Sequence, residues 1–253
     1  MIKQAYIHEY GQGRMEPEHR DVLNVLKSRN IPVKLFTNKL LDRRRLDLNI
    51  ETLIVGEHPI ISKALRYLGI EDLKINCYPK SIRKFLKRKI WVSKIGPIVD
   101  SLYRDELGTG VFVKPKESTK EFTGFILKSY EDQYMFEGTS KQTQIWCSEV
   151  VDIVSEYRVF VNRSQIVGVK NYSGSAEILP NYGFIDDCVK TFNKSEDRTA
   201  GYGVDFGIDG KGETFLIEWN DGYSLGSYGL EPDLYTDLLI SRWFELLEKR
   251  LDQ

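Results

Sequence analysis

The sequence has few cysteines and no long apolar run. Its 253 residues include three cysteines, Cys77, Cys147 and Cys188, with no CxxC pair and no Cys/His cluster. This scatter argues against a zinc site or a disulfide framework and is typical of a reducing compartment. No segment approaches the ~20 apolar residues of a membrane helix, and the first residues lack a signal-peptide core. We therefore expect a soluble, cytoplasmic protein with no membrane partner.

Several catalytic signatures are also missing. The chain has neither a GxxxxGK phosphate loop nor a GxSxG nucleophile elbow. Its three histidines, His8, His19 and His58, all lie in the first third of the chain, far in sequence from the acidic residues considered below. The 36 basic and 37 acidic residues give a net charge of -1, so nothing in the total favours a nucleic-acid partner. The composition is that of an ordinary globular enzyme or binding protein.

Residues 1–80 alternate between strand-like and helix-like patterns. Such alternation predicts a small α/β domain with a mostly parallel sheet. The predicted strands are residues 5–7, 33–36 and 52–55, and the predicted helices are residues 16–28 and 58–68.

Residues 81–253 are predicted to form a larger α+β domain. It begins with a basic stretch, residues 81–94, for which Ser81 as N-cap predicts a solvated helix. Strands dominate after it, and a helix is expected near 181–192 and another at 234–251. The predicted strands are residues 110–114, 123–127, 144–146, 157–161, 165–169, 203–207 and 214–219.

Three oxygen-bearing side chains lie in the last two predicted strands. Glu218 and Asn220 are two residues apart and so face the same side, and Asp205 on the preceding strand can join them, depending on register. Carboxylates gathered within apolar strands repel one another unless a cation neutralises them. Mg²⁺ prefers a few carboxylate oxygens together with water and phosphate. The pair of strands therefore predicts a divalent-metal site, and the alternative is a solvated acidic hairpin.

Basic residues at the ends of upstream strands could supply the opposite charge. Lys114 ends the apolar strand VFVK, and Arg158 and Lys170 lie on two strands that form a predicted hairpin. A lysine leaving a buried strand is unusual unless its ammonium meets an anion, and phosphate suits this compact charge. The polar stretch 117–124 is a candidate loop to close over a nucleotide. The alternative for each cation is a solvated surface position.

These motifs, in this order, resemble the ATP-grasp superfamily, and within it the amidoligase-type clade named for an arginine and two lysines. The resemblance covers about residues 80–250. It is carried by VFVKP, SEVV, EYRVFV, the strand reaching Lys170, VDFG and IEWND, and the last two motifs are the most specific. It implies two α+β lobes that clasp ATP, preceded by a small α/β domain at residues 1–80.

The resemblance also implies roles for individual residues. Lys114 would meet the α- and β-phosphates, and Arg158 and Lys170 would face the γ-phosphate or an acyl phosphate as catalytic residues. Lys116 is the alternative to Lys170 as the second lysine of the clade. Glu156 would hold the ribose or orient Arg158.

The remaining implied roles concern adenine and metal. The segment SEVV would line the adenine slot, and the strand pair would hold one or two Mg²⁺ ions, with Mn²⁺ as an alternative. The adenine set is Ser148, Glu149, Val150 and Val151, and the metal set is Asp205, Glu218 and Asn220.

The leading hypothesis for function is therefore a Mg-ATP-dependent ligase that joins a carboxylate to an amine through an acyl phosphate. The acceptor is a metabolite, a peptide or a protein. A phosphotransferase on the same fold and a non-catalytic nucleotide-binding module, with the basic stretch 82–94 as its partner surface, are the two alternatives. The loop 222–230 directly follows the metal motif and is the candidate wall of the acceptor site.

Overall fold

A computed structural model describes residues 2–70, 76–116 and 121–251 of the chain. The first sheet contains three parallel strands, with β1 in the middle and β2 and β3 on either side. Its central strand is apolar and buried, as expected for a parallel sheet that is covered on both faces. The predicted small α/β layer is confirmed. Its elements are β1 (Gln4–His8), α1 (Pro17–Ser28), β2 (Val33–Phe36), α2 (Asn38–Asp42), β3 (Thr52–Val55) and α3 (His58–Tyr67).

The basic stretch 81–94 does not form one helix, so that prediction was wrong. A 3₁₀ helix, Lys80–Leu86, ends at Lys87, whose φ of +48° is left-handed. Strand β4 (Ile90–Lys94) follows and forms one edge of the next sheet. The short helix buries Ile82 and Phe85, while the basic side chains beside them remain largely outside the core.

The second sheet is antiparallel and four-stranded. Its further strands are β5 (Val111–Pro115), β6 (Phe125–Leu127) and β7 (Gln144–Glu149), in the order β4-β7-β5-β6. Helix α4 (Ile95–Tyr103), which was not predicted, covers one face with its apolar residues. Residues 117–120 of the predicted closing loop lie outside the described part of the chain.

The third sheet carries most of the predicted site. It is antiparallel in the order β11-β10-β8-β9, and the turn between β8 and β9 has φ values of 47° and 67° at Arg163 and Ser164, as in the tight turns of β-hairpins. Its strands are β8 (Ile153–Asn162), β9 (Gln165–Gly174), β10 (Gly201–Asp209) and β11 (Thr214–Asp221), and its helices are α5 (Tyr182–Asn193) and α6 (Pro232–Leu251).

The two faces of the third sheet meet different partners. Helix α5 and the 3₁₀ helix cover one face around Val159 and Phe206. On the other side, Phe160 belongs to a core that is shared by the first sheet and α6. The indole Nε1 of Trp243 in α6 donates to the carbonyl oxygen of Thr52 in β3 at 2.8 Å. The predicted domain boundary near residue 80 stays a prediction.

The outer edge of β11 is covered by the segment that leads out of the first domain. The backbone N–H of Trp219 donates to the carbonyl oxygen of Cys77 at 2.9 Å. The Arg88 guanidinium donates to the carbonyl oxygens of Leu216 and Ile217 at 2.5 and 3.0 Å. These bonds satisfy backbone groups that an exposed strand edge would leave unpaired.

No described helix combines the length and the apolar character that crossing a bilayer requires.

Candidate functional site

Four charged residues lie side by side across the third sheet. Asp205 is directly opposite Glu218 on one neighbouring strand and Arg158 on the other, and Arg158 is directly opposite Lys170. Directly opposed residues of antiparallel strands project to the same face. The sheet thus presents a row of two acids followed by two bases, which brings the predicted metal ligands beside the predicted phosphate-binding cations.

The two central members of the row form a buried, bidentate ion pair. Nε and Nη2 of Arg158 donate to the two carboxylate oxygens of Asp205, both at 2.7 Å. The two residues are 7% and 2% exposed, so this pair is shielded from water. Burial raises the pKa of Asp205 to about 6, although the arginine acts in the opposite direction. The two hydrogen bonds from the guanidinium favour the ionised form of the carboxyl.

A second ion pair joins the two antiparallel sheets. The ammonium of Lys114, at the end of β5, donates to the carboxylate of Glu218 and lies 4.7 Å from the centroid of the Tyr78 ring. Burial acts to raise the pKa of Glu218, but Lys114, Arg158 and Asn220 together outweigh it and the net pKa is lowered. The pair holds the lobe of β5 against the lobe of β11 at the predicted site.

The third predicted metal ligand lies beside the first. The amide Nδ2 of Asn220 donates to Asp205 at 3.1 Å. The next residue, Asp221, is held by two hydrogen bonds from the Arg242 guanidinium in α6, at 2.7 and 2.6 Å. Asp221 therefore anchors α6 to the sheet.

These residues suit magnesium by their chemistry. Mg²⁺ is usually held by one or two carboxylates, with the remaining positions filled by water and phosphate. Among the described residues there is no group of three or more Asp, Glu, His or Cys side chains arranged to hold an ion. Asp205 and Glu218 thus fit a site that phosphate completes, and not a protein cage formed in advance. Each carboxylate is paired with a cation in this structure.

Two stacked tyrosines cover Arg158. The rings of Tyr172 and Tyr228 are 4.9 Å apart and nearly parallel, and the guanidinium lies 4.6 Å from the Tyr228 centroid. The hydroxyl of Tyr172 donates to Glu156 at 2.6 Å. Glu156, predicted to orient Arg158 or to bind ribose, therefore contacts the tyrosine whose ring centroid lies 5.9 Å from the Arg158 guanidinium. Tyr228 has a φ of +42°, which is uncommon for a bulky residue.

The predicted adenine segment connects the second and third sheets. Ser148 is buried and its hydroxyl donates to the carbonyl oxygen of Glu149 at 3.1 Å. The Glu149 carboxylate accepts the backbone N–H of Lys89 at 2.9 Å, which fixes the segment against β4. Val150 and Val151 are half-buried between β7 and β8. Their role in binding adenine stays a prediction.

A cleft of about 620 Å³ runs between the first domain and the two antiparallel sheets. It includes four predicted site residues, Lys114, Lys116, Glu218 and Asn220. The described residues that line the cleft do not include Arg158, Lys170 or Asp205. These three lie along the third sheet, beside the cleft. Lys116 donates to Gln144 at 2.6 Å.

Besides Asn76, the first domain contributes five polar residues to this cleft that the sequence did not single out as site residues. They follow β1 and β3, whose carboxyl ends meet at one edge of the parallel sheet, where such sheets commonly bind ligands. The order of strands and helices could have indicated this edge, but not the distant residues that it faces. The five are Glu16, Glu18, His19, Glu57 and His58.

Comparison with known proteins agrees with this architecture. A model of the ATP-grasp domain, family 2 of the clade named for an arginine and two lysines, matches residues 85–238. No curated protein sequence matches the chain.

Three solved structures have similar folds at low sequence identity. D-alanine–D-alanine ligase from Bacillus anthracis, complexed with ATP, has a TM-score of 0.58 at 14% identity, over 98% of this chain and 100% of that one. A RimK domain ATP-grasp protein from Sphaerobacter thermophilus has a TM-score of 0.56 at 13% identity, over 93% and 99%. The macrocyclase MdnC from Microcystis aeruginosa, bound to precursor peptide MdnA, has a TM-score of 0.53 at 11% identity, over 94% and 99%. The predicted two-lobed fold is confirmed.

Proposed function

The chain belongs to the ATP-grasp domain family matched above, family 2 of its clade, and on that premise we propose that it is a Mg-ATP-dependent ligase joining a carboxylate to an amine. One observation carries the proposal. The two ion pairs, Arg158–Asp205 and Lys114–Glu218, bring cations suited to phosphate and acids suited to a metal ion together beside one cleft. Neither pair alone would require a nucleotide.

Binding of ATP would exchange the partners of these charges. Lys114 and Arg158 would turn from the carboxylates to phosphate oxygens, since phosphate offers them several charge-assisted hydrogen bonds. Asp205, Glu218 and Asn220 would then hold Mg²⁺, which supplies positive charge against the phosphate oxygens. A site neutralised in advance avoids the cost of burying unpaired charges before the nucleotide arrives.

The chemistry would follow in two steps. A carboxylate oxygen of the first substrate attacks the γ-phosphorus of ATP, ADP leaves, and an acyl phosphate forms. The amine then attacks the acyl carbon and inorganic phosphate leaves, which yields an amide. Arg158 and Lys170, adjacent in the charged row, would stabilise negative charge on the transferred group.

The similar structures support this assignment. One of them is a ligase by name and is complexed with ATP, and another is a macrocyclase bound to a precursor peptide. An adenine slot at residues 148–151 would place the base at the connection between the two lobes. Lys116, which lines the cleft, remains the alternative second lysine.

The test is ADP release combined with trapping of the acyl phosphate. Purified protein is incubated with Mg-ATP, hydroxylamine and separate carboxylates, namely amino acids, dicarboxylates and short peptides. We expect ADP and an acyl hydroxamate with at least one carboxylate, and neither product from the Glu218→Gln variant. A phosphorylated acceptor that resists hydroxylamine would identify a phosphotransferase instead. Tight ATP binding without ADP release for every carboxylate would contradict the ligase.

A further inference from the structure

Three carboxylates line the side of the cleft that the first domain provides. We call Glu16, Glu18 and Glu57 the acidic wall. All three lie along the cleft, and Glu16 and Glu57 are half-buried there. Within the described ranges, none of them takes part in an ion pair, in contrast to Glu218 and Asp221 on the opposite side.

One hydroxyl proton serves two of these carboxylates. The Tyr10 hydroxyl lies within hydrogen-bonding distance of both Glu16 and Glu57, at 2.7 Å from the latter. A phenol has a single proton to donate. One of the two carboxylates therefore lies against the Tyr10 hydroxyl oxygen with no proton between the two oxygen atoms. An additional hydrogen-bond donor would stabilise this carboxylate.

A buried histidine beside the wall also lacks a partner. His19 is 6% exposed, lines the cleft, and interacts electrostatically with all three wall carboxylates. Its Nδ1 atom is enclosed and has no hydrogen-bond partner in the described part of the chain. A buried nitrogen without a partner costs free energy unless a ligand supplies one. This second observation is independent of the charge on the wall.

The chemistry of these groups selects the ligand. Negative charge excludes phosphate and carboxylate groups from this side of the cleft. A bound divalent ion is disfavoured because no described group of acidic and histidine residues is arranged to hold one. An ammonium group carries one positive charge and three N–H donors, which matches two carboxylates that share one proton.

We propose that the acidic wall binds the ammonium group of the amine substrate and that a wall carboxylate accepts the proton that this group loses before it attacks, an inference that rests on the ligase function proposed above. The wall is close to the predicted metal ligands because the two sides of the cleft touch. The Ser224 hydroxyl donates to the carbonyl oxygen of Gly56 at 3.4 Å, and the rings of His58 and Tyr223 are 5.6 Å apart. A cleft of this volume is within the usual range for a small-molecule site.

The test uses n-butylammonium as the probe, with n-butanol as its neutral counterpart of similar shape. Both are titrated into the full chain without ATP, and binding is followed by NMR of the His19 ring and of the backbone amides of residues 13–16, 18–19 and 56–58. We expect saturable shifts with n-butylammonium and none with n-butanol. The Glu16→Gln/Glu57→Gln variant should bind the probe at least about tenfold more weakly, since charge-assisted bonds are lost. The matched control is Glu51→Gln, an acid at the opposite end of β3 that pairs with Lys3 on the surface.

Several results would overturn the inference. These are equal shifts with n-butanol, unchanged affinity in the double variant, a similar loss in the Glu51 control, or stronger shifts with Mg²⁺ than with the ammonium probe. The single variants Glu16→Gln and Glu57→Gln decide the matter if the double variant is poorly folded, and each should weaken binding. Because no step of this experiment uses ATP, its failure is separate from failure of the hydroxamate assay.

Discussion

The two sides of the cleft differ in whether their acidic residues are paired with cations. On the side of the antiparallel sheets, each acid has a cation partner within hydrogen-bonding distance, as in Arg158–Asp205 and Lys114–Glu218. On the side of the first domain, Glu16, Glu18 and Glu57 have no cation partner among the described residues. Paired charges must be separated before they can bind a ligand, whereas the unpaired wall attracts a cation directly. We therefore expect ligand binding to rearrange the ion pairs on the side of the antiparallel sheets, and to add a cation to the acidic wall without such a rearrangement.

The strongest test of this contrast is stability. Asp205→Asn leaves the Arg158 guanidinium buried without its counter-charge, so the free energy of unfolding should fall by about 3–5 kcal/mol. The Arg158→Met/Asp205→Leu variant should recover most of this loss, because an apolar pair of similar volume carries no desolvation cost. Urea denaturation measures both. Glu16→Gln, on the unpaired side, should change stability by no more than about 0.5 kcal/mol. Equal losses of unfolding free energy in Asp205→Asn and Glu16→Gln would contradict the contrast between a paired and an unpaired side.

A smaller effect should separate the two candidate lysines. Lys170→Met removes a charge next to Arg158 in the row across the sheet, and we expect kcat/KM to fall by about 100-fold. Lys116→Met removes a partly solvated charge that is bonded to Gln144, and a loss below about tenfold is expected. Steady-state ADP release gives both values. The reverse order would make Lys116 the second lysine of the clade.

The aromatic cover over Arg158 should influence turnover more than stability. Tyr228→Gly relieves a left-handed φ but loses the stack with Tyr172, and these effects, each about 1 kcal/mol, nearly cancel. Because the guanidinium loses one of its two rings, kcat should fall by about tenfold, from less precise positioning. Tyr228→Phe keeps the ring and should retain the activity. Unchanged kcat in Tyr228→Gly would mean that the stack does not orient Arg158.

The smallest expected effect concerns pH on the unpaired side. Burial lowers the pKa of His19 below its ordinary 6.5, and the same holds for His8. The unfolded chain therefore binds protons at these sites more readily, and stability should decline as pH falls below about 6.5. His19→Gln should reduce this decline between about pH 7.5 and 5.5 in urea titrations. An identical pH dependence in the variant would show that His19 protonates equally well in both states.

The sequence predicts the regular part of this fold well. Strands β2 and β3 have the predicted bounds because each is a short strand-forming run ended by turn or helix signals. The break at Lys87 could not be predicted, since a left-handed φ in a lysine has no signature in the sequence. Helix α4 was missed although Ile95, Ile98 and Leu102 follow helical spacing, because nine residues are too short to distinguish from a buried strand.

The residues of the candidate site also differ in whether the sequence predicts them. Asp205 and Glu218 were identified because charged residues inside apolar strands are rare enough to need an explanation. Tyr10, Glu16 and Glu57 carry no such signal, since each is an ordinary polar residue between a strand and the helix that follows it. Only the parallel pairing of β1 with β3 brings these loops to one edge, and only tertiary packing turns that edge toward Glu218.

The core that joins the first sheet to α6 extends beyond the residues that the family model matches. The family match ends at residue 238, within α6, whereas Trp243 and Leu246 farther along that helix pack in the core of β1–β3. A chain cut to residues 85–238 would lose Trp243, Leu246 and the three-stranded sheet, which share one core with Phe160. The residues by which this family is recognised are therefore only part of the residues that build this core.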